Sequence, residues 1–288
     1  MSDVRIVTDS TVRFPSSDVL QRLALTIAPF TIRSGSSSFQ EAPTTELASF
    51  RGLFEEPRNP PAAEAPSVEQ FVKIYSRLQQ ETDKVLSIHA SSGIFGTVAN
   101  ARQASQQFLG RCNIQVIDSQ SISIGLGLLV QAAAAAAVSG ESFEELVRIV
   151  RGMVPRLYLV MYLDDMDYLQ RSALVSRSQA ILGNMLGIIP FLTLEEGKLI
   201  PMEKVRNRTR AMEKMVEFVS EFSGADHLAI LHGADGPQED TRILAERLRV
   251  LYPHAPLSII GYGPAVATLV GLDGLGVVVL ETEEEIVG

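Results

Sequence analysis

The chain has 288 residues, more than one hydrophobic core ordinarily supports, so we expect two domains. Hydrophobic residues make up 46% of the chain and charged residues 20%, which is typical of globular proteins and excludes a disordered or fibrous one. The 25 Lys and Arg against 34 Asp and Glu give a net charge of −9, which repels phosphate backbones. No nucleic-acid partner is therefore expected.

Cysteine content and the N-terminus favour a cytoplasmic protein. Cys112 is the only cysteine, which excludes an internal disulfide, and the opening MSDVRIVTDS lacks the charged-then-apolar pattern of a signal peptide. Residues 119–140 carry no charge over about the length of a bilayer span. Their serines and six consecutive alanines favour a buried, closely packed helix over a transmembrane one, so no membrane insertion is expected.

In the first half, short β-branched runs alternate with helical patterns, as in parallel sheets joined by crossover helices. The predicted strands are residues 5–7, 25–28, 85–88 and 114–117. Ser67 and Gln70 form a capping box at the start of a helix whose apolar residues recur at helical spacing. Residues 34–66 are rich in Ser, Pro, Ala and Glu, which predicts a long surface connection.

The pattern changes near Pro155, so we predict an N-terminal domain over residues 1–154 and a C-terminal domain over residues 155–288. The predicted strands of the second half are residues 157–161, 189–193, 199–202, 227–231 and 257–260. Glu196-Gly197-Lys198 predicts the turn of a hairpin. Helices are predicted at about residues 208–222 and 239–251.

Polar side chains follow the first and third predicted strands, where open α/β sheets place their ligands. The two loops are residues 8–11 and 89–97, and both are rich in small hydroxyl residues and Gly. Such residues ahead of a helix supply N–H groups to an anion. They are equally common as ordinary helix caps, so both interpretations stay open.

Enzyme motifs are missing. Residues 93–97 lack the Gly-Lys-Ser/Thr of a phosphate loop, and Gly125-Leu126-Gly127 lacks the third Gly of a dinucleotide fingerprint. The chain has no Gly-x-Ser-x-Gly elbow. The four histidines are not spaced as zinc ligands, so each is expected to be structural. Neither a cofactor nor a metal is expected.

Two weaker alternatives concern acidic residues. Asp164, Asp165 and Asp167 lie close enough in sequence to hold a divalent cation or form an acid–base pair, although a solvated turn is favoured. A hydrolase using Ser10 or Ser91 as nucleophile is also conceivable, but the sequence assigns it no general base.

Several motifs in these loops together resemble the DegV family, and the resemblance covers nearly the whole chain. The matching segments are Val7-Thr8-Asp9-Ser10-Thr11, Phe14-Pro15, Ile88-His89-Ala90-Ser91-Ser92, Gly96-Thr97, Ile117-Asp118-Ser119, Ser123-Ile124-Gly125-Leu126-Gly127, residues 164–169, Ile188-Ile189-Pro190 and Val205-Arg206.

The resemblance implies a two-domain α/β fold, with a parallel-sheet α/β/α domain followed by an α/β domain with a mixed sheet. It also implies a tunnel between the domains that holds a long-chain fatty acid or related lipid, which some family members present to a separate fatty acid kinase. The carrier itself would not be an enzyme. The implied lipid-binding residues are Asp9, Ser10, Ser91, Ser92, Gly93, Gly96 and Thr97.

The sequence departs from the family where the carboxylate is expected. Hydroxyls usual in the family are replaced by Ala63 and Phe95, and other polar residues correspond to Leu174 and Gly261. A carboxylate buried against apolar residues would lose solvation, and Glu64 would repel it if it pointed inward. The main hypothesis is therefore a lipid carrier with an altered headgroup preference, for a neutral lipid or for a carboxylate held by Ser91, Ser92 and backbone N–H groups. The alternative is a regulatory or interaction module that has lost fatty-acid binding.

Overall fold

The fold is described by a computed structural model, which covers residues 4–16, 19, 23–56, 60–163, 166–171 and 176–283. The strands in these residues are β1 Val4–Asp9, β2 Leu25–Ala28, β3 Thr31–Ser34, β4 Ser37–Gln40, β5 Ala62–Glu64, β6 Lys84–His89, β7 Asn113–Asp118, β8 Leu157–Tyr162, β9 Ile189–Glu195, β10 Lys198–Val205, β11 Ala225–His232, β12 Leu257–Gly261 and β13 Leu275–Glu281. The α-helices are α1 Arg51–Phe54, α2 Val68–Leu78, α3 Thr97–Ser105, α4 Ile124–Val138, α5 Phe143–Met153, α6 Met166–Arg171, α7 Arg177–Met185, α8 Arg208–Val219, α9 Glu239–Leu251 and α10 Pro264–Val270.

The first half is built on a four-stranded parallel sheet in the order β2-β1-β6-β7, as predicted. Successive side chains of a strand point to opposite faces. Val85 accordingly packs with Phe71 and Tyr75 of α2. Its neighbour Leu86 belongs to the apolar cluster on the other face, which includes Leu129 of α4. Helices thus cover both faces, giving an α/β/α arrangement.

Helix α2 begins at the predicted capping box. Ser67 Oγ accepts a hydrogen bond from the Gln70 backbone N–H at 3.3 Å, and Gln70 Oε1 accepts one from the Ser67 N–H at 2.7 Å. These bonds satisfy two of the N–H groups that the start of a helix leaves without partners. The helix therefore starts where its apolar face can reach the sheet.

The segment 34–66 is not a plain surface connection, and that prediction is wrong. It contributes β4 and β5 to a small antiparallel sheet in the order β4-β3-β5, and it also contains α1. The reason is burial of its few apolar side chains. Leu47 and Phe54 are buried, and the ring of Phe39 stacks on Phe50 at 4.1 Å between centroids.

The second half is built on a six-stranded mixed sheet in the order β10-β9-β8-β13-β11-β12. β11 and β12 are parallel, whereas the remaining pairs are antiparallel. Helices α8 and α9 cover one face through Met215 and Leu248. The other face packs against the first half, where Val278 and Leu280 of β13 join the cluster that contains α4.

Helix α4 packs tightly within the first half and also touches the second. A Cβ added to Gly127 would collide with the carbonyl oxygen of Arg13, and one at Gly125 would collide with Ser121 Oγ while lying 3.8 Å from Val278. The sheets divide between β7 and β8, yet one apolar cluster contacts both. The domain boundary at residue 154 therefore stays a prediction. Within the described ranges, no helix is long and apolar enough to cross a membrane.

Candidate functional site

The carboxyl ends of β1 and β6 are joined by the side chain of Asp9. Its Oδ2 accepts a hydrogen bond from the Ala90 N–H at 2.8 Å and lies 3.3 Å from His89 Nδ1. Its Oδ1 accepts from Thr11 Oγ1 at 2.6 Å. Asp9 is fully buried, so it fixes the two loops against each other and is not open to solvent.

A buried chain of hydrogen bonds continues from His89 into the sheet. His89 Nε2 lies 2.7 Å from Ser87 Oγ, which lies 2.8 Å from the hydroxyl of Tyr75. Burial raises the pKa of Tyr75. Asp9, His89 and Ser87 stand in the order of a hydrolytic triad, but all three are completely buried. The arrangement therefore links α2 to the sheet without exposing a nucleophile.

Ser10 belongs to a second buried group, centred on Glu41. Ser10 Oγ accepts from the Phe30 N–H at 2.9 Å and donates to Glu41 at 3.3 Å. Arg13 Nη2 donates to Glu41 Oε1 at 3.4 Å, and the Ala265 N–H of α10 donates to the same oxygen at 3.4 Å. Glu41 thus connects the two halves of the chain.

Burial governs the protonation of this ion pair. Burial raises the pKa of Glu41 to about 7, although the Arg13 charge acts in the opposite direction. Burial likewise lowers the pKa of Arg13. A side chain at Gly263 would collide with both the guanidinium and the carboxylate. The absence of a Cβ there is what lets the pair reach α10.

The loop that begins at Ser91 supports the tip of the β9–β10 hairpin. Glu196 and Gly197 both have positive φ, 47° and 78°, as in the tight turns preferred by hairpins. Ser91 Oγ donates to the Gly197 carbonyl oxygen at 2.5 Å. A Cβ at Gly93 would lie 2.5 Å from that oxygen and 2.8 Å from Lys198 Cγ, so the hairpin rests where Gly93 has no side chain.

The other predicted residues of this loop differ in their environments. The exposed Ser92 donates through its hydroxyl to Asp118, and its N–H donates to the same carboxylate at 3.2 Å. Gly96 is exposed at the N-cap of α3. Thr97 is buried, and its hydroxyl has no hydrogen-bond partner within the described part of the chain.

A cleft of about 620 Å³ opens beside this loop, between the two halves of the chain. Its described lining residues are Pro60, Pro61, Ala62, Ala63, Gly93, Ile94, Phe95, Lys198, Leu199, Ile200, Thr268 and Leu269. The ring of Phe95 is buried and packs edge-on against Phe30 at 5.0 Å. The carboxylate of Glu64, next to Ala63 in sequence, forms a salt bridge with Arg33. The side chains that line the cleft are mostly apolar, with Lys198 and Thr268 as the exceptions among the described lining residues.

The four positions where the sequence departs from the family do not all lie together. Ala63 and Phe95 line the cleft, whereas Gly261 lines a separate cleft of about 630 Å³ with Arg13 and His232. A Cβ at Gly261 would lie 3.2 Å from the His232 ring, which occupies the space that a side chain there would need. Leu174 lies outside the described residues.

The acidic residues near position 165 do not assemble a metal site in the described ranges. Asp167 accepts a hydrogen bond from Asn184 Nδ2 at 3.0 Å, and no group of three His, Cys, Asp or Glu suited to a metal occurs among the described residues. Asp164 and Asp165 lie outside them.

Sequence reasoning missed Glu41 and Lys198. Glu41 lies in the segment that composition marked as a surface connection, and nothing local signals its burial. Lys198 was identified only as part of a turn. The signal for Lys198 was the Glu196-Gly197 turn itself, which fixes the first residue of β10 opposite Glu195.

Comparison with known proteins agrees with this architecture. The family model described as "Uncharacterised protein, DegV family" matches residues 3–282. A DegV domain-containing protein of Caldanaerobacter subterraneus subsp. tengcongensis is 33% identical over 219 residues, which is 76% of this chain and 77% of the relative.

Solved structures give the same result. The DegV fatty acid binding protein from Bacillus subtilis superposes with a TM-score of 0.84 at 25% identity, covering 98% of this chain and 100% of that one. The Fatty Acid Kinase B3 protein of Streptococcus pneumoniae, loaded with linoleic acid, has a TM-score of 0.84 at 18% identity over 98% of this chain and 100% of that one. The α/β fold with a parallel and a mixed sheet is thus shared with these proteins. The chain belongs to the DegV family.

Proposed function

We propose that the protein binds a long-chain fatty acid or a similar single-chain amphiphile in the cleft of about 620 Å³ between its halves. The observation that carries the proposal is the lining of this cleft, in which Lys198 alone is ionisable among the described residues. Small-molecule sites are typically concave, largely apolar and about 300–1,000 Å³ in volume. The fatty acid binding named for the DegV protein of Bacillus subtilis, and the linoleic acid loaded on the Streptococcus pneumoniae protein, support the same ligand class.

Apolar burial is the largest favourable contribution to such binding. Each buried methylene contributes roughly 0.8 kcal/mol, so a tail of about fourteen methylenes supplies on the order of 11 kcal/mol before the cost of association. A hydrogen bond to a charged headgroup contributes only about 1.5–3 kcal/mol. The loss of hydroxyls at Ala63 and Phe95 is therefore compatible with binding.

The seven predicted lipid-binding residues are proposed to act in different ways. Gly93 lines the cleft and contacts the ligand directly. Asp9, Ser10 and Ser91 have their side-chain oxygens engaged within the protein, so they hold the loops and the hairpin in place.

The remaining three residues are Ser92, which immediately precedes Gly93, and Gly96 and Thr97, which follow it. Ser92 and Gly96 lie at the exposed surface of this loop, and the proposal gives them a part in shaping the loop beside Gly93. The Thr97 hydroxyl is buried and lacks a partner among the described residues, and the proposal pairs it with a polar group of a ligand that penetrates beyond the cleft wall.

We propose a carrier rather than an enzyme, located in the cytoplasm. Both serines considered as nucleophiles have their hydroxyls bound: Ser10 to Glu41 and Ser91 to the Gly197 carbonyl. The single cysteine, Cys112, is free and buried, as suits a reducing compartment. By analogy with the Fatty Acid Kinase B3 protein, presentation of the bound acid to a separate kinase is part of the proposal.

The direct test is to denature the purified protein, extract it and identify any released lipid by mass spectrometry, then to titrate the stripped protein with oleate. We expect either a co-purifying long-chain amphiphile or saturable binding of about one oleate per chain. Protein that is empty and takes up no long-chain amphiphile would instead support the alternative, an interaction module acting through its surface. Hydrolysis of activated esters that disappears in Ser10→Ala or Ser91→Ala would contradict a pure carrier.

A further inference from the structure

One cationic side chain lines the cleft in the described residues, the exposed Lys198. Of the described residues that line it, Lys198 alone carries a charge, and the others are Pro, Ala, Gly, Ile, Leu, Phe and Thr. An apolar surface lowers the local dielectric, so a charge at its edge acts on a neighbouring anion more strongly than it would in open water. The cleft is therefore electrostatically matched to an amphiphile with an anionic end.

Three features of the fold place the start of the Lys198 side chain at this edge. The two-residue turn at Glu196 and Gly197 makes Lys198 the first residue of β10. Ser91 Oγ binds the Gly197 carbonyl and keeps the turn on the first half of the chain. The stem of Lys198 then crosses Gly93, where a Cβ would lie 2.8 Å from Lys198 Cγ. The base of the exposed Lys198 side chain is thereby positioned beside Gly93 at the edge of the cleft.

In the part of the chain that the structure describes, neighbouring carboxylates leave the Lys198 ammonium unpaired. Within the described ranges Lys198 takes part in no salt bridge, although Glu195 faces it across the hairpin. Glu64, the acidic residue beside Ala63 on β5, is bound to Arg33. Lys198 consequently remains available to an anion that enters from solvent with its tail in the cleft.

We infer that Lys198 is the counter-ion for the carboxylate of the bound fatty acid. The inference rests on the proposed function and adds the residue that selects the headgroup. At the solvent-exposed edge of the cleft, here called its mouth, the Lys198 ammonium donates hydrogen bonds to the carboxylate oxygens of the fatty acid. It does so in place of the hydroxyls missing at Ala63 and Phe95. A carboxylate held at the mouth stays partly hydrated, which avoids the cost of burying it against apolar residues.

The experiment uses the full chain stripped of lipid and two probes with the same tail, oleate and oleyl alcohol. Lys198→Met keeps the aliphatic stem and removes the charge. We expect it to weaken oleate binding about tenfold, equivalent to about 1.4 kcal/mol, while oleyl alcohol binds as tightly as before. Lys198→Arg retains a cation and is expected to restore most of the oleate affinity.

Lys204→Met is the matched control, because Lys204 is exposed at the other end of β10 and does not line the cleft. It removes the same charge and is expected to leave both probes unaffected. Three outcomes would overturn the role of Lys198. The first is a change of less than twofold in the oleate affinity of Lys198→Met, and the second is an equal loss of oleate affinity in the Lys198 and Lys204 variants. The third is a parallel loss of oleate and oleyl alcohol affinity in Lys198→Met. Failure of the unmodified protein to bind either probe would instead overturn the proposed function, and the inference with it.

Discussion

Phe95 shows how a single side chain changes what the cleft can recognise. Its ring packs edge-on against Phe30 at 5.0 Å and is almost entirely buried, so it contributes to the core as well as to the cleft wall. Truncating a buried Phe costs roughly 3–5 kcal/mol. A substitution to Ser at this position would therefore mix lost stability with any gain in binding. Ala63, half-buried on β5, is a cleaner place to restore a hydroxyl.

Ala63→Thr is expected to strengthen oleate binding by about tenfold, because one hydrogen bond to a charged carboxylate contributes about 1.5–3 kcal/mol. The matched control is Ala63→Val, which has nearly the same shape and lacks the hydroxyl. Titration of stripped protein with oleate measures both. Equal affinities in the Thr and Val variants would show that the carboxylate does not reach β5.

Glu41 is a buried carboxyl whose ionisation is linked to folding. Its pKa is raised from 4.5 to about 7, chiefly by burial. Between these pH values the folded protein retains a proton that the unfolded chain has lost. The stability contributed by protonated Glu41 is therefore complete below about pH 4.5 and is lost as the pH rises through about 7.

Glu41→Gln cannot titrate, so it isolates this effect. The free energy of unfolding of the unmodified protein, minus that of Glu41→Gln, is expected to fall by on the order of 3 kcal/mol between pH 4.5 and 8. Urea unfolding at several pH values measures the difference. Glu46→Gln, which makes the same substitution at an exposed position of the same segment, is the matched control. If the difference in unfolding free energy between the unmodified protein and Glu41→Gln did not change with pH, the raised pKa of Glu41 would be contradicted.

At the scale of elements, the sequence predicts a strand or helix correctly where the signals that define it lie within a few residues of one another. The predicted strands at residues 25–28 and 85–88 and the capping box at Ser67 are confirmed, because β-branched runs and cap residues act within a few positions. The sequence predictions omit β13, although Val277, Val278 and Val279 are typical of a buried strand.

Elements and sites that depend on distant residues could not be predicted in this way. Glu41 is buried by contacts with Arg13 and with Ala265, which is 224 positions away. Lys198 reaches the cleft only because the hairpin rests on Ser91 and Gly93. In the same way, Ala63 and Phe95 line one cleft and Gly261 another, a division that nothing in the local sequence around these residues indicates.

The β9–β10 hairpin offers a test of an element. Gly197 has a φ of 78°, where a side chain costs roughly 1–2 kcal/mol, and a Cβ there would also collide with Ser91 Oγ. Gly197→Ala is expected to lower stability by more than this amount and to weaken oleate binding, because the turn moves away from Ser91. Gly140→Ala has a comparable φ of 85° with no atom within 4 Å of its Cβ. The Gly140→Ala variant should therefore be less stable but should bind oleate as tightly as the unmodified protein. Equal oleate affinity in both variants would contradict a role for the hairpin tip.

For the whole molecule, residues of both halves contribute to the cleft and to the main apolar core. Leu86 and Leu129 of the first half belong to the same apolar cluster as Val278 of the second, and the ion pair of Arg13 and Glu41 is bound to the start of α10. Separating the halves would expose this shared surface to water at roughly 25 cal/mol per Å². The two sheets should therefore unfold together.

Hydrogen exchange measured by mass spectrometry can test this coupling. Without ligand, the slowest amides of β6 and β13 are expected to exchange through one global opening with the same free energy. Oleate at 100 times its dissociation constant should raise both values by about 2.7 kcal/mol, because opening either sheet destroys a cleft built from both halves. Opening of one sheet at a free energy several kcal/mol lower would contradict the shared core. Protection of only one sheet by oleate would place the ligand within a single half, because a molecule held between β5 and β10 must be released when either strand leaves.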